Sequence, residues 1–442
     1  MLKSWYFKDE LPQLMTNTFT TLPPYYYSAI VNVTNMFGEV NDREWFAVQG
    51  TLGIIAEYNP FHLGHYYHLQ KAKEETGCAY TVIAMSGNFV QRGEPAVFDK
   101  WTRARLALAA GADLVVEIPT WFVLQSAEGF ARAGVALLNH CGVTHLSFGS
   151  ETGNIGPLKE LAAWLSTKQA QHQIKVQLRR GISYAAAVQS AVESVPGLDR
   201  LAAVLTGAND ILAIEYLRAI AACAPHIKAH PIKRIAANHA LDKGAYASAS
   251  HLRKMLAGGR ADEIMNYIPA PLHPLLAAAL QQKPVFLHDF AQALFYALTT
   301  MTTEEIGALP ACSEGLENRL KNALRASSDI ESLLEAVKTK RYHRTRLQRL
   351  LMQALLQFHR VSCRGAAIPY LRILACSARG KQLLPALAKA GKPPLLYSAR
   401  DVVRLNSRAR KLLALDQRAA AVYQLPRARR DLPDLLRTPA RI

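Results

Sequence analysis

The sequence predicts an α/β protein, with an open, doubly wound parallel sheet over about residues 51–265 and a mainly helical, basic region over about 266–442. Three observations predict this. From Leu52 to Phe148, short apolar runs alternate with segments of helical period, and strands separated by helices imply parallel pairing through right-handed crossovers. From Ala270 onward strand runs fade, and leucine- and alanine-rich helical patterns take over. Charge divides along the same line: residues 1–150 hold 10 Lys+Arg against 13 Asp+Glu, so the net +18 of the chain leaves 42 against 21 on residues 151–442.

In chain order, residues 1–50 show no sustained period but carry Pro23-Pro24 and Tyr25-Tyr26-Tyr27. They read as a poorly ordered extension or as the result of a start assigned too far upstream, with Met36 an alternative. Leu52–Ala56 reads as a buried strand, Leu63–Thr76 as a helix and Tyr80–Met85 as a strand. Then follow a helix over Asp99–Ala110, a strand over Asp113–Ile118, a helix over Ser126–Cys141 and a strand over Thr144–Phe148. Asn209 is expected to cap a helix over Ile211–Ala221. Further helices are expected over Leu275–Leu280, Asp289–Leu298, Leu316–Ala326, Ile330–Ala336 and Arg344–Phe358. In such sheets ligands lie beyond the carboxyl ends of the strands, where the Asn59–His65 turn, Ser86-Gly87-Asn88, Glu117-Ile118-Pro119 and Gly149-Ser150-Glu151 all fall.

Half of the chain is hydrophobic, which fits a substantial core, and no apolar run approaches the roughly 20 residues that span a bilayer. The first residues lack a continuous apolar leader, so a cytoplasmic protein is expected. Six scattered cysteines have neither metal nor disulfide-framework spacing and read as reduced thiols. A basic later half suits a polyanion, with RNA the first choice.

The richest stretch is Gly53–Gln70, Gly-Ile-Ile-Ala-Glu-Tyr-Asn-Pro-Phe-His-Leu-Gly-His-Tyr-Tyr-His-Leu-Gln. Asn59-Pro60 ends a strand and Leu63 begins a helix, so His62 and His65 stand at a strand-to-helix turn. Gly64 permits close approach, the new helix offers unpaired N–H groups, and the imidazoles add donors at the same spot. That combination suits a nucleoside triphosphate. The spacing of His62, His65 and His68 also raises zinc, but no Cys-x-x-Cys or His-Glu-x-x-His accompanies them and no metal site is expected.

The string Glu-Tyr-Asn-Pro-Phe-His-x-Gly-His resembles the His-x-Gly-His nucleotidyltransferases, and within them the tRNA(Met) cytidine acetate ligases. Met85–Phe89, Gln91–Pro95, Phe148–Glu151, Gly207–Leu212 and Thr339–Tyr342 resemble the same family, so that the likeness runs from about Leu52 to Arg349. It implies a Rossmann-like nucleotidyltransferase core with His62 and His65 as catalytic donors. It also implies ATP contacts from Ile55, Ala56, Glu57, Tyr58, Asn59, Pro60, Phe61, His62, Leu63, Gly64, His65, Tyr66, Tyr67 and His68. Gly149, Asn209 and Arg234 join them by matching position. Ala247–Arg253 resembles the hydroxyl-rich signature that closes such sites, with Ser250 standing where threonine is common and Arg253 neutralising the leaving pyrophosphate. Arg92, in the polar loop after the second strand, reads as a substrate-side cation or as surface.

Lys338, Lys340, Arg341, Arg344, Arg346 and Arg349 crowd into twelve residues with Tyr342 and His343 among them, a pattern that supplies cations for phosphates and rings for bases. These are the expected tRNA contacts. Arg400–Arg441 is a second basic stretch, with eleven Lys+Arg against four Asp.

The resemblance implies that acetate attacks ATP to give acetyl-adenylate, with magnesium accompanying the nucleotide. The wobble cytidine of elongator tRNA(Met) then takes the acetyl group to give N4-acetylcytidine. Two alternatives stay open on the residues alone: a small-molecule adenylyltransferase, which would not need the basic region, and a nucleotide-gated RNA-binding protein without chemistry.

Overall fold

The computed structural model describes residues 50–235, 246–313, 315–361, 367–390, 393–428 and 430–441. The expected N-terminal extension lies, Gly50 apart, outside the described residues. Phe46–Ile442 forms one compact unit.

Ten strands follow in chain order: β1 (Thr51–Ala56), β2 (Tyr80–Ser86), β3 (Phe89–Val90), β4 (Glu94–Pro95), β5 (Leu114–Ile118), β6 (His145–Ser150), β7 (Lys228–Lys233), β8 (Leu371–Cys376), β9 (Leu395–Leu396) and β10 (Ala440–Arg441). β3 and β4 form a separate small hairpin. The others build an eight-stranded sheet in the order β10-β8-β5-β2-β1-β6-β7, with β9 also on β8. Pairing is parallel from β5 across to β7. Strand order reverses between β1 and β6, so a crevice opens beyond their carboxyl ends.

Local chemistry explains the helices that reach this crevice. Helix α1 (Leu63–Thr76) is capped by His62, whose ring accepts from the Gly64 N–H, and it stops at Gly77 in the left-handed region. Asp99 caps α2 (Lys100–Ala109), and Ser126 caps α3 (Ala127–His140), whose apolar stripe covers β1. Gly53 allows that approach: a Cβ there would stand 2.9 Å from Leu138 Cδ1. Helix α4 (Ala208–Cys223) packs on α3, and α5 (Ala249–Ala257) is capped by Ser248. Between β6 and α4 lie three α-helices, Ile155–Leu165, Lys168–Leu178 and Tyr184–Glu193, and a 3-10 helix, Asp199–Thr206, none of them among the expected elements.

The later region is helical where expected, from His273–Leu280 to helix α6 (Arg344–Leu355) and on to α7 (Ser407–Tyr423). One expectation fails. Strand runs do not end near Ala270, because β8, fully buried, pairs antiparallel with β5 and turns a parallel sheet into a mixed one. Its Arg372 donates to the Asp434 carbonyl at 3.0 Å and stacks 5.5 Å over Trp101, and this tethers the segment that leads to β10. Among the described residues no helix is long and apolar enough to cross a membrane.

Candidate active site

The crevice beyond β1 and β6 is a cleft of about 690 Å³. Into it come His62, His65 and His68 from the turn and α1, Gly149 from β6, Asn209 from α4, Arg234 from just after β7, and Ser250 and Arg253 from α5. Ile55, Ala56, Glu57, Tyr58, Asn59, Gly64 and Tyr67 also line it, whereas Pro60, Phe61, Leu63 and Tyr66 do not. Phe61 points into the core instead, its ring 4.8 Å from that of Tyr58 and 5.7 Å from that of His65. Tyr58 holds φ 48, a left-handed conformation that costs a non-glycine residue about 1–2 kcal/mol and is typical of functional turns.

The histidines are arranged as neutral donors. His62 Nδ1 accepts the Gly64 N–H at 3.0 Å, so its proton sits on Nε2. The rings of His62 and His65 stack at 3.8 Å, and His65 Nδ1 is buried with no hydrogen-bond partner among the described residues. His68 Nε2 pairs with Ser147 Oγ at 2.9 Å. Burial, aided by the Arg234 guanidinium, pulls His62 and His68 down to about 4, and His65 falls in the same direction. All three are uncharged at neutral pH, and a neutral imidazole still donates one N–H to a phosphate oxygen.

These depressed values make the stability of the fold depend on pH. Unfolded histidine takes up protons below about pH 6.5, whereas the His62 and His68 rings resist to about 4, so the stability these two contribute is complete above that window and falls as pH drops through it. By pH 5 each ring removes about 2 kcal/mol. Denaturant titration of a His68→Gln variant should therefore show a stability loss between pH 7 and 5 that is smaller than the parent's by about that amount. An equal loss in the two proteins would contradict it. The comparison cancels groups titrating in both, such as Glu117.

Arg253 is already engaged: it donates to the Asn59 carbonyl at 2.9 Å and pairs with Glu94 at 2.9 Å, linking α5 to the turn and to the β3–β4 hairpin. The Arg234 stem lies across Gly149, where a Cβ would stand 3.4 Å from its Cγ. The expected cap role of Asn209 is corrected: Gly207 caps α4, and Asn209 sits one residue inside it. Its amide donates to Glu151 Oε1 at 2.5 Å, while Glu151 also accepts the backbone N–H of Asn209 and Asp210. Glu151 thus supplies the missing cap, and Gly207 leaves room for it, since a Cβ there would stand 2.7 Å from its Oε2.

Five cationic side chains line the cleft, Arg92, Lys233, Arg234, Arg253 and Arg349, against one carboxylate, Glu57. Burial pushes Glu57 up, and it accepts the Gln91 N–H at 2.7 Å. Such a balance favours a polyanion. Two expected neighbours of the ligand stand apart from it. Glu117 is bound up with Lys100, and Asn88 Oδ1 accepts the Lys100 backbone N–H. Beneath the turn, fully buried Arg103 donates to the carbonyls of Glu57, Ser86, Gly87 and Phe98, fixing the ends of β1 and β2 together.

The basic cluster is divided by the fold. Lys338, Lys340 and Arg341 are exposed just before α6. Lys338 pairs with Glu335 and Arg344 with Glu331. Arg346 donates to the Ala311 carbonyl and Ser313 Oγ and lies over the Tyr342 ring at 5.2 Å, so it serves the local fold. Arg349 turns into the cleft beside Thr345, four residues before it and on the same helix face. Sequence reasoning missed this separation, although helical periodicity carries the signal.

Strand order, the histidine turn and a cationic cleft at the topological switch point define the class: a nucleotidyltransferase-like α/β fold. The profile of the HIGH Nucleotidyl Transferase family matches residues 50–433. Proteins named tRNA(Met) cytidine acetate ligase from Thermoanaerobacter sp. (strain X514) and Bacillus subtilis (strain 168) are each 36% identical to this chain, over 85% of its length and over 95% and 92% of theirs. The crystal structure of Thermotoga maritima TmcAL bound with alpha-thio ATP superposes with a TM-score of 0.82 at 30% identity, covering 89% of this chain and 100% of that one. The chain belongs to the tRNA(Met) cytidine acetate ligase family.

Proposed function

We propose that the protein activates acetate with ATP and transfers the acetyl group to the wobble cytidine of elongator tRNA(Met). The observation that carries this reading is the meeting of His62, His65, Arg234 and Arg253 in one cleft, in a chain whose relatives bear that enzyme name over most of its length. A carboxylate oxygen of acetate attacks the α-phosphorus, the bond from that phosphorus to the bridging oxygen breaks, and pyrophosphate leaves with the electron pair. The exocyclic amine of cytidine then attacks the acetyl carbon. It loses a proton as N4-acetylcytidine forms and AMP departs.

The chain's part in the first step is electrostatic and positional. His62 donates through Nε2, His65 supports it from the stacked ring, and Ser250 and Arg253 receive the charge developing on pyrophosphate. Arg234, Gly149 and Asn209 hold the nucleoside side. Magnesium enters with ATP: the described residues hold no group of three or more His, Cys, Asp or Glu fit to bind an ion, and the cleft offers Glu57 alone as a carboxylate. The ion would offset phosphate charge, and Glu57 is the one carboxylate of the cleft lining that could reach it.

The exposed Lys338, Lys340 and Arg341, with Arg344 at the start of α6, form the tRNA-facing edge of this reading. Combining Lys340→Ala with Arg341→Ala should weaken tRNA binding and reduce the slope of log K against log salt by about 1–2. Pyrophosphate exchange without tRNA should be unchanged. An unaltered salt slope would remove these residues from the interface.

The half-reaction tests the chemistry. Acetate-dependent exchange of labelled pyrophosphate into ATP, with no tRNA present, is the expected result. Exchange with no need for acetate, or none at all, would move the reading to another acid or to a binding protein.

A further inference from the structure

The residues expected to hold ATP come from the turn after β1, the ends of β6 and β7, and the starts of α4 and α5. Gln91, Arg92, Ala127, Phe130, Thr345 and Arg349 also line the cleft and come from other elements: the β3–β4 hairpin, α3 and α6. Of the two arginines there, Arg92 is exposed and Arg349 is the more buried. Its side chain is mostly buried, and its one hydrogen bond among the described residues is long, from Nη1 to the Gln91 carbonyl at 3.4 Å. No carboxylate among the described residues pairs with it, whereas Arg344, Lys338 and Arg253 all have acidic partners. Burial, with Arg346 nearby, pulls Arg349 down to about 10, a sign of a cation short of an anion.

The backbone beneath this side chain is fixed. Gly93, at φ 80, lies so close to α6 that a Cβ would stand 2.2 Å from the Arg349 N, so the β3–β4 hairpin and the helix form one wall. Ala127 and Phe130, from the start of α3, line the same cleft and give it apolar surface. A cation beside an apolar surface, next to a triphosphate site, has the chemistry of a pocket for a short carboxylic acid.

Resting on the adenylation reading above, we propose that Arg349 binds the carboxylate of the acid substrate and aims it at the α-phosphorus. One oxygen is held by the guanidinium while the other is free to form the bond to phosphorus. The methyl group rests on Ala127 and Phe130. Arg349 thereby belongs to the activation step, although it lies at the end of a basic stretch whose earlier members face outward.

The test is steady-state ATP–pyrophosphate exchange by the full chain, varying acetate at saturating ATP and then ATP at saturating acetate. Arg349→Ala should raise the KM for acetate by about tenfold or more, with the KM for ATP within about twofold of the parent. Arg349→Lys should recover part of the loss, because it restores charge but not the fork. Phe130→Leu is the second variant, should removal of the guanidinium loosen the wall: by reshaping the apolar side it should change the preference for acetate over propionate. An ATP KM rising in step with that of acetate, or a tRNA defect with both KM values unchanged, would overturn the assignment. No exchange in the parent protein would instead overturn the adenylation reading beneath it.

Discussion

The His62→Asn protein should form acetyl-adenylate about 10²–10³-fold more slowly than the parent while unfolding at nearly the same temperature. Asparagine is among the best helix N-caps, so its side chain keeps the acceptor that His62 Nδ1 now offers to Gly64. What disappears is the Nε2–H on the cleft side. A donor poised for charge that develops only in the transition state affects the rate more than ground-state affinity, so kcat should carry most of the loss. His65→Ala should likewise abolish pyrophosphate release while leaving tRNA affinity nearly intact. It should also cost stability, because its ring packs on His62, Tyr58 and Phe61. Full adenylation by His62→Asn, or loss of tRNA binding by His65→Ala, would contradict the phosphate role.

Lys100→Ala should destabilise the fold by about 3–5 kcal/mol, the usual consequence of breaking a buried ion pair from one side. Its ammonium contacts Glu117 at 2.7 Å and Asp434 at 2.9 Å, and all three side chains are almost wholly buried. Without it two carboxylates face each other out of water, and burial already pushes Glu117 up to about 7. Asp434 begins the short turn that leads to β10, so the damage should spread to the strand closing the sheet edge. Adding Glu117→Gln to Lys100→Met should recover part of the loss, since it neutralises one of the two orphaned charges and ends their mutual repulsion. Denaturant midpoints measure both. A change below about 1 kcal/mol for Lys100→Ala would mean that water reaches the cluster.

The parallel half of the fold was legible because two kinds of local signal agree there: β-branched runs bounded by turn residues, and helices opened by Asp99, Ser126 and Ser248. The cleft was legible for the related reason that its motifs sit at strand ends. β8 was not. Leu-Arg-Ile-Leu-Ala-Cys is a short apolar run among leucine-rich helices, and periodicity cannot tell a buried strand from a buried helix at that length. What makes it a strand is remote: β5 on one side and, for Arg372, the Asp434 carbonyl 62 residues away. Asn209 misled because it is a good cap in isolation, whereas Glu151, 58 residues earlier, performs that task. The division of the basic cluster was not legible because charge is counted along the chain, while a helix deals its members to different faces, Arg349 to the cleft and Arg346 to Ser313.

One cleft that activates acetate and delivers it to a cytidine of tRNA should leave its mark on the tRNA itself. The most direct measurement is mass spectrometry of nucleosides from unmodified elongator tRNA(Met), after incubation with the protein, ATP, magnesium and isotope-labelled acetate. Labelled N4-acetylcytidine at the wobble position, absent with His65→Ala, is the expected result. Consumption of ATP without labelled cytidine, or label persisting in that variant, would contradict it.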